Sequence, residues 1–193
     1  SLNGMYPIMT HIRADFMLLA TNQIINLVAK YRYMFGGLFK VPMLIRAVVG
    51  RSWGQGAQHT QSLQSLFAHI PGLTIIMPSD SFAVLSAYPH VISNLSAPVI
   101  SFEHRLLYEL DFKVDRHQIT AVVEPLASRL KRTGKDVTVV ATSIMTLEAE
   151  RSADYLAKSG IRCDVIDLNC ISKPDTAMIV DSVCKTGRLL ITD

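Results

Sequence analysis

The sequence predicts two incomplete α/β units, each a partial three-layer fold built on a mainly parallel sheet. Three observations carry that reading. Apolar strand-like runs alternate with helical runs almost throughout the chain. The run at residues 42–49, PMLIRAVV, is nearly continuous in apolar residues, as expected of a strand covered on both faces. The alternation fades between about residues 105 and 135 and restarts at Val137. This places one domain at 1–110, a linker at 111–135 and a second domain at 136–193.

Residues 7–12 read as the first strand. Asp15 is placed to cap a helix reaching about Tyr33, with Phe16, Leu19, Ala20, Gln23, Ile24, Leu27, Val28 and Tyr31 on one face. Gly36 and Gly37 end it. Strand 42–49 leads into a glycine-rich loop at 50–58. A helix at 60–70 then buries Leu63, Leu66, Phe67 and Ile70, and Pro71-Gly72 breaks it. Strand 73–77 follows. A helix opening at Asp80 is expected to kink or stop near Pro89, which has no N–H to donate. Strand 99–102 closes the first unit. The second unit reads as strand 137–141, helix 146–158, a stop at Gly160, strand 163–168, helix 175–185, a stop at Gly187 and strand 188–192.

Composition narrows the function. The chain has 193 residues, 49% of them hydrophobic, enough for packed cores. No apolar run reaches the roughly 18 residues of a membrane span. The net charge is +3 with no basic stripe, so no nucleic-acid partner is expected, and Arg129-Leu130-Lys131-Arg132 reads as a solvated linker or helix end. Cys163, Cys170 and Cys184 fit no metal spacing and read as buried free thiols in a reducing, cytoplasmic setting. Ser1 is not a Met, and the final run at 188–192 is a strand; the reading expects a chain cut short at both ends.

Longer stretches are more specific. Arg13-Ala14-Asp15-Phe16 leads on to Tyr33-Met34-Phe35-Gly36-Gly37. Next come Gly54-Gln55-Gly56-Ala57-Gln58-His59-Thr60-Gln61-Ser62, Phe67-Ala68-His69-Ile70-Pro71-Gly72-Leu73 and Pro98-Val99-Ile100-Ser101-Phe102-Glu103-His104. Val165-Ile166-Asp167-Leu168 and Lys185-Thr186-Gly187-Arg188-Leu189-Leu190 continue the series in the second unit. Together they resemble the beta subunit of pyruvate and branched-chain 2-oxo acid dehydrogenases. These are thiamine-diphosphate-dependent enzymes of the transketolase-like group.

The resemblance implies a partial pyrimidine-binding domain followed by the start of a transketolase C-terminal domain. It implies thiamine diphosphate, with Mg²⁺ and the diphosphate held by an alpha-type subunit, and acyl transfer to a lipoyl-bearing acyltransferase. The Gly-Asp-Gly motif of the metal-binding half is absent from this sequence. Phe16 matches the aromatic that packs on the aminopyrimidine, and Ile12 and Leu19 match positions beside the same ring. On periodicity alone, Phe16 is equally a core residue opening an amphipathic helix. His59 matches a histidine near the coenzyme that assists proton transfer or lipoyl acylation. Its plainer reading is a histidine serving a junction between loop and helix. His69 reads as structural. The loop Gly50-Arg51-Ser52-Trp53-Gly54-Gln55-Gly56 lacks the spacing of a nucleotide cradle.

Some features depart from the family. The glutamate that activates the coenzyme lies in a segment that would precede Ser1, so the chain alone is expected to be inactive. Asn94-Leu95-Ser96-Ala97-Pro98 lacks the acidic residue of the usual potassium loop. Two alternatives stand beside the main reading: a transketolase or deoxyxylulose-phosphate-synthase fragment, and a non-catalytic dimerisation or scaffold module. Homo-oligomers are expected on any of them.

Overall fold

A computed structural model describes residues 1–51, 54–120 and 122–193. Two separate four-stranded sheets organise them. The first contains β1 (Ile8–His11), β2 (Leu44–Val49), β3 (Thr74–Ile76) and β4 (Val99–His104), in the order β1-β2-β4-β3, all parallel. The second contains β5 (Arg129–Arg132), β6 (Val137–Ala141), β7 (Cys163–Asp167) and β8 (Leu189–Thr192), in the order β5-β7-β6-β8. β6, β7 and β8 run parallel, while β5 pairs antiparallel to β7. The fold is therefore α/β with two mainly parallel sheets.

The chain leaves β1 into a broken helical segment: α1 (Ala14–Met17), a 3₁₀ turn at Leu18–Ala20, a π turn at Gln23–Val28 and α2 (Tyr31–Met34). Ala29 N donates to Ile24 O, five residues back, at 2.9 Å. One 3₁₀ turn and one π turn shift the apolar stripe away from a regular 3.6-residue period. The core side is therefore Ala14, Met17, Ile24 and Ala29, packed with Ile45, Ala47, Phe67, Ile100 and Phe102. Phe16, Leu19 and Leu27 face outward, against the single face expected from periodicity. Nor does Asp15 cap the helix. Arg13 takes the N-cap position without capping the helix through its side chain, and Asp15 lies buried one residue inside α1.

α3 (Ser65–Ala68) is all that forms of the helix expected at 60–70. Phe67 is buried, but Leu66 points out and Gln64 points in. Gly72 then lets two segments cross. Its φ is +100°, and a Cβ there would lie 2.1 Å from the Ala29 carbonyl oxygen. α4 (Ser81–Asn94) covers the other face of the first sheet, where Ala87 and Val91 pack on Leu44, Ile76 and Val99. Asp80 caps it by accepting from Ala83 N. The helix does not stop at Pro89 but continues to Asn94. Tertiary packing of Val91 holds the C-terminal turn despite the lost backbone bond.

The segment read as a linker is more structured than expected. It holds a 3₁₀ helix at Arg105–Glu109 and α5 (Arg116–Thr120), and it supplies β5 to the second sheet. The basic cluster Arg129–Arg132 is thus a strand and not a solvated connector. The second sheet packs Val139, Ala141, Cys163 and Val165 against Ala149 and Ala153 of α6 (Ser143–Ala157). On its other face, α7 (Thr176–Thr186) bonds to the sheet through Ser182 and Thr186, each 2.7 Å from Thr138 Oγ1. Asp175 caps α7, and Gly187 ends it in the left-handed conformation. Cys163 and Cys170 are buried free thiols, whereas Cys184 is exposed, contrary to the expectation for all three. No helix among the described residues is long and apolar enough to cross a membrane.

Candidate functional site

The C-terminal ends of β1 and β2 present two neighbouring segments. From β1 the chain turns through Ile12 and Arg13 into α1. From β2 it runs into the loop after Gly50, of which Ser52 and Trp53 lie outside the described residues, and reaches a 3₁₀ turn at Ala57–His59. This is the crevice side of a parallel sheet, where strand ends aim the following loops at ligands.

Phe16 and His59 meet here. Their ring centroids are 5.2 Å apart and the ring planes cross at 82°, an edge-to-face contact. Phe16 is 51% exposed, so it is not the core residue that periodicity alone allows. Ile12 is 72% and Leu19 87% exposed, and with Phe16 they line the first helical turn with apolar surface open to solvent. His59 is half-buried. It does not open a helix, because the next one starts at Ser65.

Side chains tie these two segments together. Arg13 Nε and Nη2 donate to Gln55 Oε1 at 3.1 and 2.6 Å. Asp15 Oδ1 accepts from Gln61 Nε2 at 2.8 Å and from Gln61 N at 3.3 Å. Among the described residues, three buried polar atoms around the same junction have no hydrogen-bond partner: His11 Nε2, Asp15 Oδ2 and His59 Nδ1. Burial also lowers the His11 pKa, because the cation would lose hydration. Sequence reasoning missed Arg13, Asp15, Gln55 and Gln61. All four stand in the stretches that carry the family resemblance, but nothing in their pattern marked them as tethers.

A cavity of about 450 Å³ lies farther along, between the domains. Thr60, Ser62 and His104 line it from the first domain, and Thr142, Ser143 and Asp193 from the second, but not Phe16 or His59. The Phe16–His59 contact lies outside this cavity, beside the exposed Ile12 and Leu19. Elsewhere on the first sheet, Glu103 lies near the end of β4. Its carboxylate accepts from Arg46 Nε at 2.7 Å, Arg46 Nη2 at 2.6 Å, Tyr108 Oη at 2.5 Å and Tyr88 Oη. Burial opposes ionisation of Glu103, but the bonds from Arg46 and the two tyrosines outweigh it and hold the pKa below the ordinary value. Burial and Glu103 together push both phenols up.

The domains are joined by a second buried network. Asp167 accepts from Ser79 Oγ at 2.7 Å, from Arg129 Nη2 at 2.6 Å and from Thr146 Oγ1 at 3.1 Å. Arg129 and Lys131 each reach Asp80 at 2.9 Å. Main-chain bonds run alongside, from Met77 N to Asn169 O at 2.8 Å and from Ile171 N to Ile75 O at 3.0 Å. Among the described residues, no group of three or more His, Cys, Asp or Glu side chains converges as a metal site.

A parallel sheet with an aromatic and a histidine meeting at its strand ends, joined to a second α/β domain, matches known families over nearly the whole chain. Residues 1–110 match the transketolase pyrimidine binding domain, and residues 126–193 match the transketolase C-terminal domain. The chain belongs to the transketolase pyrimidine-binding family. Within it, the chain is similar to the beta subunit of acetoin:2,6-dichlorophenolindophenol oxidoreductase of Cupriavidus necator, 39% identical over 98% of this chain and 55% of the relative. It is also similar to the pyruvate dehydrogenase E1 component beta subunits of Ascaris suum (34% identical, 100% of this chain, 54% of the relative) and Rhizobium meliloti (34%, 100% and 42%). The chain thus spans about half the length of the curated relatives it matches. A solved structure described as a split gene transketolase, inactive beta4 tetramer, superposes with a TM-score of 0.78. It is 23% identical and covers 98% of this chain and 58% of its own, which is a likeness of fold.

Proposed function

We propose that this chain supplies the aminopyrimidine side of a thiamine-diphosphate site in a beta-type 2-oxo acid dehydrogenase subunit. One observation carries the reading: an exposed aromatic, Phe16, stands edge-on to His59 at the ends of two parallel strands, with Ile12 and Leu19 open beside it. A flat heteroaromatic ring fits such a surface, since an aromatic wall orients it and apolar neighbours exclude water. When bound, the coenzyme supplies the electron sink for cleaving the bond next to the substrate carbonyl. Phe16 orients its ring, Ile12 and Leu19 shield it, and His59 holds or moves a proton beside it. Mg²⁺ and the diphosphate are assigned to an alpha-type subunit, and the acyl group passes to a lipoyl-bearing acyltransferase. A reducing compartment such as the cytoplasm suits the free thiols.

The relatives leave two substrate classes, a 2-oxo acid and acetoin, and one assay separates them. This chain, mixed with an alpha-type subunit, thiamine diphosphate and Mg²⁺, is given pyruvate, a branched 2-oxo acid or acetoin with 2,6-dichlorophenolindophenol as acceptor. Dye reduction that requires both chains and the coenzyme supports the reading. Equal reduction by the alpha-type chain alone refutes it. The purified chain alone should release no carbon dioxide from either oxo acid.

A second reading, a non-catalytic assembly module, draws on the same open apolar surface together with Tyr33 and Leu38, both largely exposed. Self-association belongs to both readings. Sedimentation of the chain at high micromolar concentration should show oligomers, and a clean monomer would count against them.

A further inference from the structure

We propose that Arg13 and Asp15 form a two-point clamp that positions His59 against Phe16. This rests on the function proposed above only for why the position of His59 matters.

The tethers leave one short segment and grip the His59 loop on both flanks. Arg13 holds Gln55, four residues before His59, and Asp15 holds Gln61, two residues after it. Packing does little to hold that loop. Residues 54–58 are exposed, and a Cβ built at Gly54 or Gly56 would meet nothing within 4 Å. Its own bonds are short-range, from His59 N to Gly56 O at 3.3 Å and from Thr60 Oγ1 to Gly56 O at 3.0 Å. They close the turn without fixing where the turn lies relative to α1. The long-range hydrogen bonds do that: those donated by the Arg13 guanidinium are exposed, and those that Asp15 accepts from Gln61 are partly buried.

Asp15 is poorly explained by stability. It is buried, and among the described residues its Oδ2 has no partner, an arrangement that costs free energy. A residue that breaks the rule of satisfied buried polar groups, next to the aromatic of the site, is retained for geometry. Arg13 and Asp15 touch neither ring in a reacting role; they are positioning residues, acting through His59.

The test reads the His59 ring directly. In the isotopically labelled full chain, the His59 ring protons carry a ring-current shift from Phe16, calibrated by Phe16→Leu. Asp15→Ala should move these resonances to the Phe16→Leu positions, while Asp15→Asn, which keeps an acceptor for Gln61, should retain most of the wild-type shift. Unchanged His59 resonances in Asp15→Ala would overturn the clamp. If Asp15→Ala does not fold, Gln61→Ala reads the same contact: a partial loss of shift supports the clamp, and none overturns it. In the enzyme assembled with its partner and coenzyme, Asp15→Ala should lower kcat about tenfold or more with little change in KM, as misplacement of a reacting group does. Asp15→Asn should recover most of that loss. Wild-type kcat in an Asp15→Ala enzyme would overturn the positioning role. An assembled wild-type enzyme inactive on all three substrates would instead refute the proposed function, and the resonance shifts would still decide the clamp.

Discussion

Two clusters at the strand ends of this protein are finished in opposite ways. At the seam between the domains, Asp167 is buried and Asp80 half-buried, and Ser79, Arg129, Lys131, Thr146 and the Ala83 N–H pair with them. At the Phe16–His59 face, apolar side chains stand in water while nearby polar atoms are buried without partners among the described residues. At the seam the buried carboxylate of Asp167 is paired within one chain. At the face, exposed apolar side chains stand beside a half-buried histidine, as the proposed function requires. The seam and the candidate site thus lie at the ends of different strands.

The largest effect should come from breaking the seam. Arg129→Ala leaves the Asp167 carboxylate fully buried with no cation, and stability should fall by about 3–5 kcal/mol, read from the denaturant midpoint. A loss under about 1 kcal/mol would show that water or Lys131 can replace the guanidinium.

Acid should act next, and on the satisfied carboxylates. Burial works against the ionised forms of Asp80 and Asp164. Arg129, Lys131 and the Ala83 N–H overcome it at Asp80, and the Gly134 N–H, Lys185 and Ser182 overcome it at Asp164, so both pKa values lie below the ordinary one. Glu103 behaves likewise. Each binds its proton less readily folded than unfolded, so its contribution is present above the ordinary carboxylate range and is lost as pH falls through the folded value. The denaturant midpoint should drop steeply below about pH 4. Burial of His11, and burial plus Arg51 at His104, lower those pKa values too, which adds a shallower loss starting below about pH 6.5. A midpoint that stays flat to pH 3 would contradict the assignment.

The smallest effect on stability should come from the face. Phe16→Ala and His59→Ala remove side chains that the fold leaves partly in water, and each should change stability by less than about 1 kcal/mol. Their functional effects should separate in the assembled enzyme. Phe16→Ala should chiefly weaken coenzyme binding, measured by titration calorimetry. His59→Ala should chiefly slow acyl transfer, measured with a lipoyl acceptor. Equal losses of coenzyme affinity would remove the division of roles.

Regular periods were legible and irregular ones were not. The apolar runs located all three core strands of the first sheet within two residues, because strand burial on both faces leaves a continuous signature. The helix expected at 15–33 broke where a 3₁₀ and a π turn replaced regular turns: Ile24 of the expected face is in the core and Ala20 and Val28 pack against it, but Phe16, Leu19 and Leu27 turn outward. The helix expected at 60–70 shrank to Ser65–Ala68, and Leu66 lost its place inside. At the candidate site, Ile12, Phe16, Leu19 and His59 were named through resemblance and not through pattern. The structure puts Phe16 and His59 in contact, whereas the tethers beside them left no local mark.

What the sequence by itself determined was local: where apolar runs begin and stop, that strands alternate with helices, and hence that the sheets are mainly parallel. Tertiary structure alone decided which neighbour of a pair faces inward, as with Met17 buried and Phe16 open. It decided that a basic run, Arg129–Arg132, becomes an antiparallel edge strand whose first arginine bonds Asp167, 38 residues away. It also decided that Asp15 reaches Gln61 across 46 residues and does not cap its own helix. Periodicity records how a segment partitions between water and core. Which polar groups finally meet is set by the docking of whole elements, because a buried charge finds its partner only once the sheets have closed around it.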